Sequence, residues 1–157
     1  MTLSLHIEPA NLDDHEHQRA ILDLLDMYSR DAMGNSAALP TESRKGIIRG
    51  LRKHPTSLVL LATVDGDYTG LCVCFEVFST FQAKPILNIH DIAVHPQHRN
   101  KGIGRALLER AEQQALERGC CKITLEVRED NVIAQHLYRA AGFRESEPVM
   151  HFWHKPL

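Results

Sequence analysis

The chain lacks a long hydrophobic run and an excess of charge of either sign. Its 157 residues include 18 Lys or Arg and 20 Asp or Glu, and the net charge of −2 gives no global basic signal for nucleic-acid binding. No apolar run approaches the ~20 residues that a membrane helix needs. The first eight residues are too short and too polar for a signal peptide. We therefore expect a cytoplasmic protein that binds neither nucleic acid nor membrane.

Cysteine is also scarce, and its spacing fits no common zinc or redox motif. Cys72 and Cys74 form a C-x-C pair, whose side chains would share one face of a strand, and Cys120 and Cys121 are adjacent. The ten histidines include no H-E-x-x-H motif. The sequence therefore predicts buried or partly buried thiols in a reducing compartment, and no metal site.

The hydrophobic fraction of 43% and the charged fraction of 24% are typical of a soluble globular protein. The length suits one α/β domain, residues 1–157. Hydrophobic periodicity predicts the element order β-α-α-β-β-β-α-β-α-β, which is a mixed α/β (α+β) layer structure. Alternation at Leu3, Leu5 and Ile7 predicts the first strand, and residues 149–153 are predicted to form the last.

A glycine-containing loop joins a predicted buried strand, residues 86–94, to a predicted helix that starts at Gly102. Glycines let backbone N–H groups approach a ligand, and a helix N-terminus carries about half a positive charge. This arrangement predicts an anion site, although a turn without a ligand would have the same sequence. The loop is not a P-loop, because no Gly-Lys-Ser/Thr follows, and Leu107 occupies the third glycine position of a dinucleotide fingerprint.

Two motifs together resemble the GNAT superfamily of N-acetyltransferases, in detail over residues 86–143. Arg99-x-x-Gly102-x-Gly104 is similar to the family signature R/Q-x-x-G-x-G/A. The second family motif, N-x-x-A-x-x-L-Y-x-x-x-G-F, is matched by Asn131, Ala134, Leu137, Tyr138, Gly142 and Phe143. The resemblance implies a mostly antiparallel mixed sheet with a splayed central strand pair and helices on both faces. It also implies transfer of an acetyl group from acetyl-CoA to a primary amine.

The resemblance further implies where the cofactor binds. The pantetheine arm would lie along the central strand, against backbone groups of Ile92, Ala93 and Val94. The side-chain amide of Asn131 would lie near the pantetheine or the far end of the cofactor. The pyrophosphate would contact the loop and the first helical turn, at Arg99, Asn100, Lys101, Gly102, Ile103, Gly104 and Arg105.

Tyr138 matches the tyrosine that the family often uses as a general acid. A phenol with its ordinary pKa near 10 stays protonated at neutral pH and can supply a proton to a leaving thiolate. Tyr138 also shares a predicted apolar helix face with Ala134 and Leu137, so a core role is open as well.

The general base is less evident from the sequence. Asn88, His90 and Asp91 interrupt an apolar strand, and alternation puts Asn88 and His90 on one face and Asp91 on the other. Buried polar groups are costly unless they are paired or functional. Many family members carry glutamate in place of Asn88, whose amide cannot act as a base. The order of candidates for the base is His90, Asp91 and Glu76; structural roles for His90 and Asp91 stay open.

Glu76, Phe78 and Asn88 are the residues we expect near the acceptor. The chain has no charged tract that would dock a large partner, which favours a small-molecule amine that attacks directly in a ternary complex. Acetylation of a protein N-terminus or lysine is the alternative, and a non-catalytic CoA-binding sensor is another. A homodimer formed through the last predicted strand, around His151 to Trp153, is also possible.

Overall fold

The computed structural model describes residues 4–157. Its five strands lie in sequence order in one sheet, antiparallel except for a parallel pairing of the fourth and fifth strands. This confirms the predicted mostly antiparallel mixed sheet. The elements are β1 (Leu5–Pro9), α1 (His15–Arg30), α2 (Thr41–Lys53), β2 (Leu58–Val64), β3 (Asp67–Ser79), β4 (Lys84–Val94), a short 3-10 helix (Pro96–His98), α3 (Ile103–Glu117), β5 (Ile123–Leu125) and α4 (Val132–Ala140).

The sheet separates two hydrophobic clusters, which confirms helices on both faces. One cluster joins the sheet to α3 and α4, and we call this side the α3 face. The other joins the sheet to α1 and α2, and we call it the α1 face. Strand β2 is apolar except at Thr63 because both of its faces are buried: Leu60 packs on the α3 face and Leu61 on the α1 face.

Helix α3 sits close to the sheet because β3 carries a glycine beneath it. A Cβ added at Gly70 would lie 3.1 Å from the carbonyl oxygen of Ala93, 3.2 Å from Leu107 Cδ1 and 3.3 Å from Ile103 Cγ2. Leu107 and Ile103 are themselves buried, so the first turns of α3 are fixed against the sheet. This contact also fixes the loop that precedes α3.

The last predicted strand is absent from residues 4–157. Residues 149–153 are irregular and exposed, and no strand of the described chain pairs with them. Alternation describes which side chains can share a face, but a strand also needs a backbone partner, and residues 4–157 supply none here. Leu3, which we predicted in the first strand, lies outside the described residues.

All four cysteines are free thiols, and Cys72 and Cys74 are buried on the α3 face, as the sequence predicts. Among residues 4–157, no helix is both long and apolar enough to cross a membrane. The same residues include no group of three or more His, Cys, Asp or Glu side chains placed to hold a metal ion.

Truncating Leu107 tests how strongly α3 is fixed. Leu107→Ala should lower the free energy of unfolding by roughly 2–5 kcal/mol, because it opens a cavity between α3 and the sheet. Ile133→Ala in α4 is the control: Ile133 is 78% exposed, and its loss should change the unfolding free energy by less than about 0.5 kcal/mol. Urea denaturation measures the unfolding free energy of both variants. Equal losses would contradict the packing of Leu107 between α3 and the sheet.

Candidate active site

Strands β4 and β5 pair over only three residues and then separate. The pairs are Leu87–Ile123, Asn88–Thr124 and Ile89–Leu125. Beyond Ile89, β4 has a partner only on its β3 side within the described chain. The sheet therefore has a slot beside residues 90–94, which is the predicted splay.

Hydrogen bonds from Asn88 link β4 to β5 at the point where the two strands begin to separate. Its Nδ2 donates to Thr124 Oγ1 at 3.1 Å and to the Thr124 carbonyl oxygen at 3.4 Å. These bonds engage the side-chain amide that we expected to contact the acceptor. Asn88 therefore holds the base of the slot together in this structure.

A β-bulge at His90 changes the orientation of the polar residues. Asp91 pairs with Val73 and Ile89 pairs with Cys74, which leaves His90 as an extra residue without a partner on β3. A bulge breaks the alternation of side chains along its strand. The prediction that His90 and Asp91 lie on opposite faces is therefore wrong.

Both side chains lie on the α1 face. Asp91 shares this face with its pairing partner Val73, and the His90 ring makes an edge contact with Phe75, at 5.7 Å between ring centroids. Phe75 also pairs with Asn88, so all three polar residues of β4 point to the same side. His90 is exposed, whereas Asp91 is partly buried.

Asp91 lies in an environment that disfavours its charge. Burial raises the pKa of its carboxyl group, and the neighbouring His90 partly offsets this effect. Tyr28, in the last turn of α1, lies close enough to interact with it: burial raises the pKa of the Tyr28 phenol, and the charge of Asp91 raises it further. Sequence reasoning missed Tyr28 as a site residue, since nothing local distinguishes it from the rest of the apolar stripe of α1.

Tyr138 packs on the α3 face of the sheet. The residue is 9% exposed, belongs to the core cluster, and packs 5.9 Å from the ring of Phe143. Burial, with smaller contributions from Tyr28 and Cys72, raises the pKa of Tyr138 to about 12. The phenol is therefore protonated at neutral pH, and its ring packs in the hydrophobic core.

The loop before α3 offers a row of backbone donors. Asn100 and Gly102 have positive φ angles of 60° and 81°, and no side chain caps the helix at Gly102. Among the described residues, no backbone N–H from 100 to 105 has a hydrogen-bond acceptor. A Cβ at Gly102 would meet no atom within 4 Å, so space lies in front of these donors. This arrangement fits an anion such as a pyrophosphate.

Most of the charged side chains in and next to this loop already form ion pairs. Arg99 Nη2 lies 2.8 Å from Asp31 Oδ2, and its Nε donates to the carbonyl oxygen of Val94 at 3.1 Å. The guanidinium of Arg99 lowers the pKa of Asp31. Arg105 pairs with Glu109 at 2.9 Å. Lys101 has no ion pair within residues 4–157, so it and the backbone donors are the groups most available to an anion.

Two predicted acceptor residues lie away from this slot. Glu76 pairs with Leu87 and shares its α3 face, where Arg118 Nη1 binds the carboxylate at 2.7 Å. Phe78 is 65% exposed and pairs with Pro85, near the opposite end of β4. Because β3 alternates regularly here, neither side chain joins His90 and Asp91.

Asn131 forms the N-cap of α4, and its Oδ1 accepts a hydrogen bond from Ala134 N–H at 3.2 Å. This local bond explains why asparagine starts the helix. The amide Nδ2 is the part of this side chain that can still donate to a ligand.

Known proteins share both the sequence pattern and the fold. The Acetyltransferase (GNAT) family profile matches residues 21–143. An uncharacterised N-acetyltransferase of Archaeoglobus fulgidus is 30% identical over 146 residues, which are 91% of this chain and 95% of that protein. The crystal structure of a probable acetyltransferase has a TM-score of 0.82 at 27% identity and covers 97% of both chains.

A second solved structure shares the fold at lower identity. It is an aminoglycoside N-acetyltransferase in complex with CoA, with a TM-score of 0.78 and 17% identity, covering 99% of this chain and 98% of that one. At this identity the likeness concerns the fold alone. The family match over residues 21–143 and the A. fulgidus relative carry the assignment. The chain therefore belongs to the GNAT family of acetyltransferases.

Proposed function

We propose that this protein transfers the acetyl group of acetyl-CoA to a primary amine of a small molecule. The observation that carries the proposal is the row of unused N–H donors at residues 100–105, which follows the free edge of β4 where His90 and Asp91 lie. The donors suit a pyrophosphate, and the slot suits a thioester with an amine beside it.

The cofactor would follow the free edge of β4. Backbone groups at Ile92, Ala93 and Val94 lie beyond the last β4–β5 pair and can bond the pantetheine amides. Arg99, which already binds the Val94 carbonyl oxygen, would support the loop as well as contribute charge. The Asn131 amide, at the start of α4, would face the cofactor from the other wall.

His90 and Asp91 are the groups we assign to proton removal. An alkylamine is mostly protonated at neutral pH and must lose a proton before or during its attack on the thioester carbonyl. Imidazole ordinarily titrates near neutrality and suits this role. Because His90 is exposed and Asp91 is partly buried beside it, His90 would accept the proton, directly or through water. The charge of Asp91 would stabilise the resulting imidazolium.

Tyr138 would stabilise the leaving sulfur. A pKa of about 12 exceeds that of an ordinary thiol by roughly 3.5 units, so complete proton transfer to a free thiolate is unfavourable. A hydrogen bond from the phenol to the sulfur, which strengthens as negative charge develops, is the larger part of its contribution. As the amine nitrogen forms the C–N bond, the C–S bond breaks, and CoA leaves as a thiolate that accepts the Tyr138 hydrogen bond and then takes its proton from solvent.

A cationic small molecule is the acceptor that the charges favour. The α1 face offers the Asp91 carboxylate beside the slot, and the chain has no charged tract for a protein partner. The name of the structural neighbour, an aminoglycoside N-acetyltransferase, gives a small-molecule acceptor for that protein, which agrees with this class.

Replacing Gly102 tests the cofactor site. Gly102→Glu places a side chain and a negative charge before the donors, so calorimetric titration should detect no acetyl-CoA binding. Gly119→Glu is the matched control, since Gly119 also has a positive φ, of 69°, and open space around it, at the other end of α3. The control should be similarly destabilised yet bind acetyl-CoA; equal binding by both variants would contradict the site.

Removing the Tyr138 hydroxyl tests the leaving-group role. Tyr138→Phe should lower kcat by roughly 100-fold, the lower end for a positioned acid, with little change in acetyl-CoA affinity. The wild-type rate should show no alkaline limb from this group below about pH 11, because its pKa is about 12. Thiol release measured across a panel of aryl-alkylamines, polyamines, amino acids and short peptides supplies the rates. Tyr68→Phe is the control and should keep full activity.

The pH profile of kcat/KM distinguishes the two basic groups. His90→Gln should remove the rise of kcat/KM with pH, because the proton acceptor is lost. Asp91→Asn should lower the rate at every pH and keep that rise. A His90→Gln profile that matches the wild type in shape would assign the base to another residue.

A further inference from the structure

A row of three aromatic rings extends from the slot along the α1 face. The rings of His90 and Phe75 make an edge contact with 5.7 Å between their centroids, and the rings of Phe75 and His54 make another with 4.6 Å. Because His54 directly follows the last turn of α2, the row links β4, β3 and α2. Both histidines are exposed, and Phe75 is partly buried. The function proposed above gives a role to His90 and none to the other two rings.

The sheet surface next to this row is apolar and uncovered. Val77 follows Phe75 on the α1 face of β3 and pairs with Ile86 of β4. Val77 is 52% exposed, and neither Val77 nor Ile86 belongs to either hydrophobic cluster, so α1 and α2 cover this face only as far as Phe75. We call His54, Phe75, Val77 and Ile86 the platform. Adjacent apolar side chains left in water often mark a binding surface.

The two ends of the platform differ in charge. At the slot, the Asp91 carboxyl group lies beside His90 on this face. At the far end, Lys84 shares the face of Ile86, because β4 pairs with β3 without interruption from residue 84 to residue 89. A ligand with one ammonium group at the slot matches these charges, whereas a second ammonium group at the far end would meet the like charge of Lys84.

We propose that the acceptor is an arylalkylamine, whose ammonium group lies at His90 and Asp91 and whose ring packs against Phe75 on the platform. This inference rests on the function proposed above and specifies its substrate class. Aromatic rings favour edge or offset contacts with about 4.5–7 Å between centroids, which an added ring can make with Phe75. A link of two carbons between amine and ring spans roughly the distance from His90 to Phe75. Phe75 is therefore the residue that determines specificity for the ring.

A set of matched amines tests the preference for a ring. 2-Phenylethylamine and 2-cyclohexylethylamine have the same charge, the same link and a similar size, so only the first gains from ring contacts. Thiol release should give a kcat/KM that is roughly fivefold higher for the phenyl compound. Benzylamine and 4-phenylbutylamine should both be poorer acceptors, since their links do not match the row. An aliphatic diamine such as 1,4-diaminobutane should be poorer than any of the phenyl compounds.

Replacing the rings tests the platform itself. Phe75→Leu keeps an apolar side chain but removes the ring, so the ratio of kcat/KM between the phenyl and cyclohexyl amines should fall to about one. His54→Leu changes an exposed position and should lower the ratio in the same direction without opening the core. Phe81→Leu is the matched control, because Phe81 is fully exposed in the turn between β3 and β4, and it should keep the ratio. Calorimetric titration with acetyl-CoA checks that each variant keeps its cofactor site.

Binding of 2-phenylethylamine, followed by saturation-transfer NMR of its ring protons in the presence of CoA, separates this inference from acetyl transfer. Saturation that Phe75→Leu abolishes, without thiol release from acetyl-CoA, would support the platform and contradict the proposed transfer. Thiol release with equal rates for the phenyl and cyclohexyl amines, or with a preference for the diamine, would overturn the aryl acceptor and leave the transfer intact. A phenyl preference that Phe75→Leu leaves unchanged would overturn the role of the platform. Neither saturation nor thiol release would overturn both proposals.

Discussion

The central constraint on this structure is that β4 pairs with β3 along nearly its whole length but with β5 over only three residues. The bulge at His90 lies immediately after the last β4–β5 pair. If pairing with β5 continued, the edge of residues 92–94 would be closed and no slot would exist. Because this pairing stops, the backbone groups of this edge are free. His90 is the extra residue of the bulge, and its insertion places the side chains of His90 and Asp91 on the same face of the sheet. The proposed chemistry depends on this local interruption of an otherwise regular sheet.

The proposed anion site relies more on the backbone than on side-chain charge. Arg99 and Arg105 are each paired with a carboxylate, so the loop is less positive than its sequence indicates. The donors at residues 100–105 are held in place because Gly70 lets α3 sit tightly against the sheet. Fixed donors need no further ordering when a ligand binds, which makes their contribution efficient. The ion pair of Arg99 with Asp31 also joins the end of α1 to this loop.

The sequence predicted what depends on local pattern and missed what depends on pairing. Periodicity and the two motifs predicted the helices, the first five strands and the splay. Alternation misassigned Asp91 because a bulge leaves no signal in a single sequence. It also predicted a strand at residues 149–153 that has no pairing partner among residues 4–157. Glu76 and Phe78 seemed close to the site along β3, but the β3–β4 register places them on another face and at another end. The proximity of Tyr28 to Asp91 depends on how α1 packs against β4, which sequence reasoning did not predict.

The sheet also bears on whether the acetyl group passes through the enzyme covalently. Cys72 and Cys74 are the thiols nearest the slot, but both are fully buried, and their sulfurs lie 3.5 Å apart. The hydrogen bond between them and their burial raise the pKa of Cys72 well above its ordinary value. Since the thiolate is the nucleophile, Cys72 is not prepared to accept an acyl group, and Cys74 has no exposed surface at which to meet one. This burial supports the proposed direct transfer in a ternary complex, in which the amine would lie beside exposed His90 and the sulfur beside buried Tyr138.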